Sequence, residues 1–357
     1  MNKAGVTYEI FDELKANPTI KNVQDGVAAC KKAQADCIVA IGGGSTIDTS
    51  KAIAIIMTNP EFEDVRSLEG VADTKNKCLP IIAVTTTSGT AAEVTINYVI
   101  TDEEKHRKFV CADPHDIPIV AIVDPDMSLG MPAGLCASTG MDALVHAVEG
   151  YLTRGAWEMT DMLHLKAIEI IGRSLRDAVA GDPKAREEMA LGQYIAGMGF
   201  SNVGLGIVHS MAHKTGAAFE NGHIIHGAAN AMYLGKVIQW NSKDPRAAER
   251  YAYVAKEILH LPGETNEELI AALVQKIRDL NDQLNIPQSI KDYANGGVKV
   301  DAENPQMVSE EEFLAKLPEI AANAEQDACT PENPRETKAA DFEKILKACY
   351  YDTDIDF

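Results

Sequence analysis

Residues 37–45 constrain the chain most. Cys37-Ile38-Val39-Ala40-Ile41 is a short apolar run that passes directly into Gly42-Gly43-Gly44-Ser45, and residues 46–57 continue with helical spacing. A strand that turns through glycines into a helix is a βα unit, and repetition of that unit gives a parallel sheet of the α/β class. Residues 6–11, 79–84 and 119–123 read as further strands, the last of them buried. Residues 23–34 read as a helix, and 94–100 with 108–111 as a strand pair. The pattern changes near Met131-Pro132. Beyond it Leu165, Ile168, Ile171 and Leu175 recur at helical spacing, and residues 187–198, 206–219, 228–238 and 247–259 also read as helices. Almost no strand signal follows; Pro262-Gly263 marks a turn and residues 295–304 a loop. The expected fold is α/β: a parallel-sheet nucleotide-binding domain over residues 1–130, then an all-helical domain over 131–357. A doubly wound nucleotide domain ordinarily opens with its own strand and helix. Here the glycine loop follows the second strand, so an opening strand-helix unit is expected to be lacking.

The sequence has 357 residues, 46% of them hydrophobic, and a formal net charge of -20. Such an acidic surface repels phosphate backbones and anionic lipids, which argues against nucleic acid and membrane partners. Plain solubility is a sufficient reading of the charge. No run reaches the roughly 18 apolar residues that span a bilayer, and residues 1–20 lack the apolar core of a signal peptide. The seven cysteines form no C-x-x-C pair. An odd number without such a pair fits neither a disulfide framework nor a thiolate zinc site, and suits a reducing cytoplasm.

Glycines let a ligand approach backbone amides closely, and the helix that follows offers unpaired N–H groups to a pyrophosphate. The spacing here is neither G-x-G-x-x-G nor a Walker loop. A tight turn with Ser45 as N-cap and Asp48 completing a capping box explains the same residues equally well. A second loop, Thr85-Thr86-Thr87-Ser88-Gly89-Thr90, follows residues 79–84. Hydroxyls at the carboxyl end of a parallel strand are placed to bind ribose or phosphate.

The histidines are more specific. Asp142 and His146 stand four apart in a helical pattern, so carboxylate and imidazole share one helix face. His209 and His213 repeat the spacing, with His223 and His226 close behind. Two helices that each present such a pair can surround one divalent cation, and imidazole-carboxylate donors suit zinc or ferrous iron. His106, His115, His164 and His260 are scattered, which suits structural or solvated roles.

At these residues the chain resembles the iron-containing alcohol dehydrogenase family. The resemblance runs from about Ala4 to Tyr350. It is carried by Asn17-Pro18-Thr19, by Gly42 to Ser45, by Thr86 to Thr95, and by Gly140-Met141-Asp142-Ala143-Leu144-Val145-His146. It continues through Met198 to Asn202, His209-Ser210-Met211-Ala212-His213 and His226-Gly227-Ala228-Ala229-Asn230. It implies metal ligands Asp142, His146, His209 and His226, with His226 chosen over His223 because His-Gly-Ala-Ala-Asn follows the family pattern. It implies Fe2+ as the metal with Zn2+ as the alternative, and His213 as a proton-relay residue. It implies NAD contacts from Asn17, Gly43, Gly44, Ser45, Thr86, Thr87, Thr90, Thr95, Asn97 and Lys108, and a small substrate pocket near Asn97, Phe200 and Cys329. The link 220–225 is longer than in close relatives, and residues 294–324 depart from them. The family's opening strands and first helix, which serve the adenosine end of the cofactor and the dimer edge, have no counterpart. A homodimer is therefore expected only in weakened form.

The activity so implied is reversible reduction of a short aldehyde to an alcohol by nicotinamide hydride at a metal-polarised carbonyl. Two alternatives stand beside it: a zinc-dependent polyol dehydrogenase of the same fold, and a truncated remnant that binds metal without catalysis.

Overall fold

The computed structural model describes residues 3, 5–105 and 107–357; His106 lies outside the described residues. The chain divides into two compact units, one of Met1–Thr87 with Ala91–Met127, the other of Ser88–Thr90 with Ser128–Phe357.

In the first unit, helix α1 (Ile20–Ala33) starts where Thr19 and Asn22 cap each other's backbone N–H groups, three residues before the apolar spacing alone suggests. Strand β1 (Ile38–Gly42) leads through the glycines into α2 (Gly44–Thr58). Strands β2 (Ile81–Thr85) and β5 (Val120–Ile122) complete a parallel sheet in the order β1-β2-β5. Between them, β3 (Asn97–Asp102) and β4 (Arg107–Ala112) form the expected antiparallel pair, with Tyr98 opposite Cys111 and Ile100 opposite Phe109. One face of the parallel sheet buries Ala40, Ile81 and Ala83 against Ile47 and Ala54 of α2.

Two expectations and one alternative reading fail in this unit. Residues 6–11 carry no strand: Val6, Tyr8 and Ile10 alternate as a strand should, but they are exposed and no ladder pairs them among the described residues. Strand β5 is not buried. Its Val120 and Ile122 are 43% and 41% exposed, on the same open face as Val39 and Ile41 at 37% and 57%. The capping box also fails: Gly43 is the N-cap of α2 and makes no side-chain bond, while Asp48 instead accepts the Val99 N–H at 3.2 Å.

The second unit is helical around one core. It holds α3 (Ala133–Leu152), α4 (Glu158–Val179), α5 (Pro183–Val203), α6 (Ile207–Thr215) and α7 (His226–Asn241). It continues with α8 (Pro245–Tyr253), which runs into a π-turn at Val254–Ile258, then α9 (Asn266–Gln283), α10 (Glu310–Glu325) and α11 (Ala339–Tyr351). The exception to an all-helical unit is a two-residue ribbon, β6 (Tyr293–Ala294) with β7 (Val298–Lys299), closed by Gly296 and Gly297 at positive φ. Arg186 ties the start of the unit to its helices: the buried guanidinium donates to the carbonyls of Ser128, Leu129, Met131 and Ala178. Among the described residues no helix is long and apolar enough to cross a membrane.

Candidate metal centre

Helix α3 presents Asp142 and His146 on one buried face, and Glu149 continues the same stripe one turn later. Helix α6 brings His209 in its first turn, capped by Gly206. Helix α7 opens on His226, and its next residue, Gly227, explains how it comes so close. A Cβ there would meet the Ser138 carbonyl oxygen at 1.9 Å, so only glycine lets the start of α7 lie against α3.

These helices converge on one point. Donor atoms of Asp142, His146 and His209 lie within 4.8 Å of one another. The Nε2 atoms of His209 and His226 are each 3.5 Å from Asp142 Oδ1, and that of His146 is 3.9 Å away. The imidazole of His223, by contrast, bonds the Gly216 carbonyl at 3.1 Å. Phe200 stacks on His146 at 4.4 Å between ring centroids.

The charges are arranged for a cation. Burial pushes the Asp142 carboxyl up, but the imidazoles of His146, His226 and His209 outweigh it and hold the group well below the usual carboxylate range. Burial lowers His146 to about 4 despite the attraction of Asp142, so that ring stays neutral, as a metal donor must be. Burial also lowers His209, but hydrogen bonds to Asp142 and Glu149 raise it to about 9. Asn230 also reaches this point. Its Nδ2 lies 2.7 Å from Asp142 Oδ1, 3.2 Å from His209 Nε2 and 3.3 Å from His226 Nε2. The amide donates to Asp142 beside the two ring nitrogens, while its own Oδ1 is buried without a partner. One carboxylate and three imidazoles around such a focus fit a divalent ion of the zinc or ferrous type.

A second cluster of donor types, His213, Asp327 and Cys329, is of a different kind. Asp327 Oδ2 is 3.1 Å from His213 Nδ1 and 2.8 Å from Lys214 Nζ. The ammonium already compensates that carboxylate, which leaves no charge deficit for an ion. What the arrangement does is orient His213, whose ring lies nearly parallel to that of His226 with centroids 5.3 Å apart.

Residues 1–125 match the family model described as iron-containing alcohol dehydrogenase, and residues 136–350 match the C-terminal model of the Fe-containing alcohol dehydrogenase family. The chain belongs to the iron-containing alcohol dehydrogenase family. It is therefore an enzyme, an oxidoreductase of the metal-dependent alcohol dehydrogenase class. It is 50% identical to lactaldehyde reductase of Escherichia coli (strain K12) over 351 residues, 98% of this chain and 86% of that one. It is 41% identical to an NADPH-dependent butanol dehydrogenase of Clostridium saccharobutylicum, over 100% of this chain and 87% of that one. Among solved structures, the alcohol dehydrogenase from Oenococcus oeni matches with a TM-score of 0.87 and 35% identity, over 98% of this chain and 86% of that one.

The residues that the family resemblance assigns to a nicotinamide cofactor fall, Thr90 excepted, in the first unit. Asn17 donates its N–H to Ser45 Oγ at 3.3 Å and accepts from Lys108 Nζ at 2.7 Å, so these three are linked. Burial lowers Lys108 to about 8, against the pull of Asp48. Gly43 lies against Thr87, where a Cβ would come within 2.9 Å of Thr87 Cγ2, and Gly44 opens α2 beside it. The Thr86 N–H donates to the Gly42 carbonyl. Thr95 and Asn97 are held by buried Lys51, which donates to both their carbonyls. Thr90 belongs to the second unit, as do Phe200 and Cys329 of the expected substrate pocket, whereas Asn97 belongs to the first.

Sequence reasoning missed Asn230, Asp327 and Glu149. Asn230 closes the motif that begins at His226, four residues earlier. Glu149 extends the spacing of Asp142 and His146 to a third helical position, and that signal was available. Asp327 lies 114 residues from His213, and no spacing connects them.

Proposed function

We propose that this protein interconverts lactaldehyde and 1,2-propanediol by hydride transfer with NAD(H), at Fe2+ held by Asp142, His146, His209 and His226. The observation that carries the reading is the convergence of Asp142, His146 and His209 within 4.8 Å, with His226 Nε2 3.5 Å from Asp142 Oδ1, in a chain half identical to a lactaldehyde reductase. When bound, the ion supplies Lewis acidity toward the carbonyl oxygen and the nicotinamide supplies hydride. The same donors accept Zn2+, so the metal identity rests on the family.

The chain's own residues then do three things. Asp142 brings the one negative charge, and the three imidazoles add neutral donors. Phe200, packed flat on His146, makes one wall apolar and limits water. His213 would be the proton-relay residue: Asp327 accepts the Nδ1 hydrogen and fixes the ring, so the imidazolium would give its Nε2 proton to the oxygen of the reduced carbonyl and be left neutral with its hydrogen on Nδ1. Asn17, Gly43, Gly44, Ser45, Thr86, Thr87, Thr90, Thr95, Asn97 and Lys108 would contact NAD. All seven cysteines are free, which suits the cytoplasm.

The test is NADH oxidation by lactaldehyde after anaerobic loading with Fe2+. Turnover is expected in the loaded protein and not in the His209→Ala variant. Saturable NADH binding without metal-dependent turnover would overturn the reading. Absence of NADH binding would favour a metal-binding protein without catalysis.

A further inference from the structure

Glu149 makes contacts that the metal focus alone does not explain. Its Oε2 lies 2.6 Å from His209 Nδ1, and its Oε1 accepts the Val208 N–H at 2.7 Å. The His209 N–H also points at Oε2, at 3.4 Å. One buried carboxylate on α3 thus faces the N–H groups of the second and third residues of α6 and one ring nitrogen of the histidine that α6 carries. The approach is built in: a Cβ on Gly206 would come within 2.8 Å of Glu149 Oε1, so the cap residue of α6 has to be glycine for the carboxylate to seat.

Both Glu149 oxygens already face backbone N–H donors, so the 2.6 Å contact places the hydrogen of His209 on Nδ1. That leaves Nε2 as the ring nitrogen able to face an ion, and it is this atom that lies 3.5 Å from Asp142 Oδ1. We propose that Glu149 is a positioning residue of the metal centre: it selects the His209 tautomer that can ligate, and locks the first turn of α6 to the helix that carries Asp142 and His146. This inference rests on the metal reading above. It adds a residue whose effect reaches the ion only through His209, as carboxylates behind ligating imidazoles do. Val208 N–H, His209 N–H and the His209 ring all present hydrogens to the same group. An amide in its place offers one oxygen and turns an NH2 toward a donor, so Glu149→Gln is nearly isosteric yet cannot satisfy all three.

Zn2+ alone serves as the probe, with the full-length chain and a chromophoric chelator as competitor. Glu149→Gln is expected to weaken Zn2+ binding roughly 10- to 100-fold, while the metal-free protein still unfolds cooperatively. Co2+-substituted protein should show a shifted ligand-field spectrum in the variant, which a purely structural cap would leave unchanged. A second measurement needs no variant. Nitrogen-15 spectra of histidine-labelled, Zn2+-loaded wild type should show His209 with its hydrogen on Nδ1 and the metal on Nε2. Equal Zn2+ affinity in wild type and variant, or a His209 hydrogen on Nε2, would overturn the role of Glu149 while leaving the metal site intact. Failure of the wild type to bind Zn2+ would instead remove the metal reading, and this inference with it.

Discussion

His164 is the histidine whose surroundings most oppose its own chemistry. It is fully buried on α4, neither ring nitrogen has a hydrogen-bond partner, and it fits only because Gly150 of α3 and Gly199 of α5 lack a Cβ that would come within 2.3 Å of its Nε2. Burial pushes it from 6.5 down to about 3, with small contributions from Arg250 and His146. As pH falls below about 6.5 the unfolded chain takes up a proton that the folded chain refuses, so stability is lost through the window from 6.5 to 3. By pH 5 the loss is about 2 kcal/mol. Replacing His164 with Leu should therefore flatten the fall in urea midpoint between about pH 7.5 and pH 5; an unchanged slope would contradict the assignment. At this scale the sequence is partly legible. Asp142, His146 and His209 stand out by spacing, whereas preferring His226 to His223 requires the family pattern. The structure puts His226 against Asp142 and leaves His223 on a loop carbonyl. His164 reads from its spacing as structural or solvated; its burial is total, but nothing in that spacing announces two unpartnered nitrogens.

The metal focus exists because α3, α6 and α7 are pressed together, and small residues set those distances. Gly227→Ala places a methyl group on the Ser138 carbonyl, backbone against backbone, so α7 has to move away from α3. Overpacking of this kind costs about 1–3 kcal/mol. The same displacement should draw His226 from Asp142 and weaken Zn2+ binding, read by chelator competition beside the urea midpoint. A destabilised variant with unchanged metal affinity would show that α7 carries no ligand. Elements with strong periodicity are legible in the sequence: α4, the centre of α7, and the β3-β4 pair. Their ends are not. Helix α1 starts early because of a reciprocal side-chain cap, and α6 stops at Thr215 although the helical pattern continues to Phe219. The π-turn after α8 and the ribbon at residues 293–299 depend on tertiary contacts that a periodicity argument does not see. The alternation in residues 6–11 fits a strand, but a strand needs a partner ladder, and pattern alone cannot supply one.

Across the molecule, the two units differ in how completely they hide apolar surface. The helical unit closes on one core, whereas Val39, Ile41, Val120 and Ile122 lie on the uncovered side of the parallel sheet. Parallel sheets ordinarily bury both faces, so this chain should bind anilinonaphthalenesulfonate in its native state. The dye's fluorescence should fall in an Ile41→Thr, Ile122→Thr double variant, because threonine keeps β-propensity while removing apolar area. Equal fluorescence in a cooperatively folded variant would contradict an open face. The division into an α/β part and a helical part follows from the change in pattern near residue 131. What the pattern does not reveal is that Ser88–Thr90 leaves the first unit for the second, because Gly89 packs against Thr139 of α3. The central claim is that one divalent ion sits among Asp142, His146, His209 and His226. It is tested most directly by metal content after anaerobic reconstitution with Fe2+ and desalting. The wild type and His223→Ala should each retain one ion per chain, and Asp142→Asn and His226→Ala should lose it. Full retention by His226→Ala, or loss in His223→Ala, would contradict the assignment.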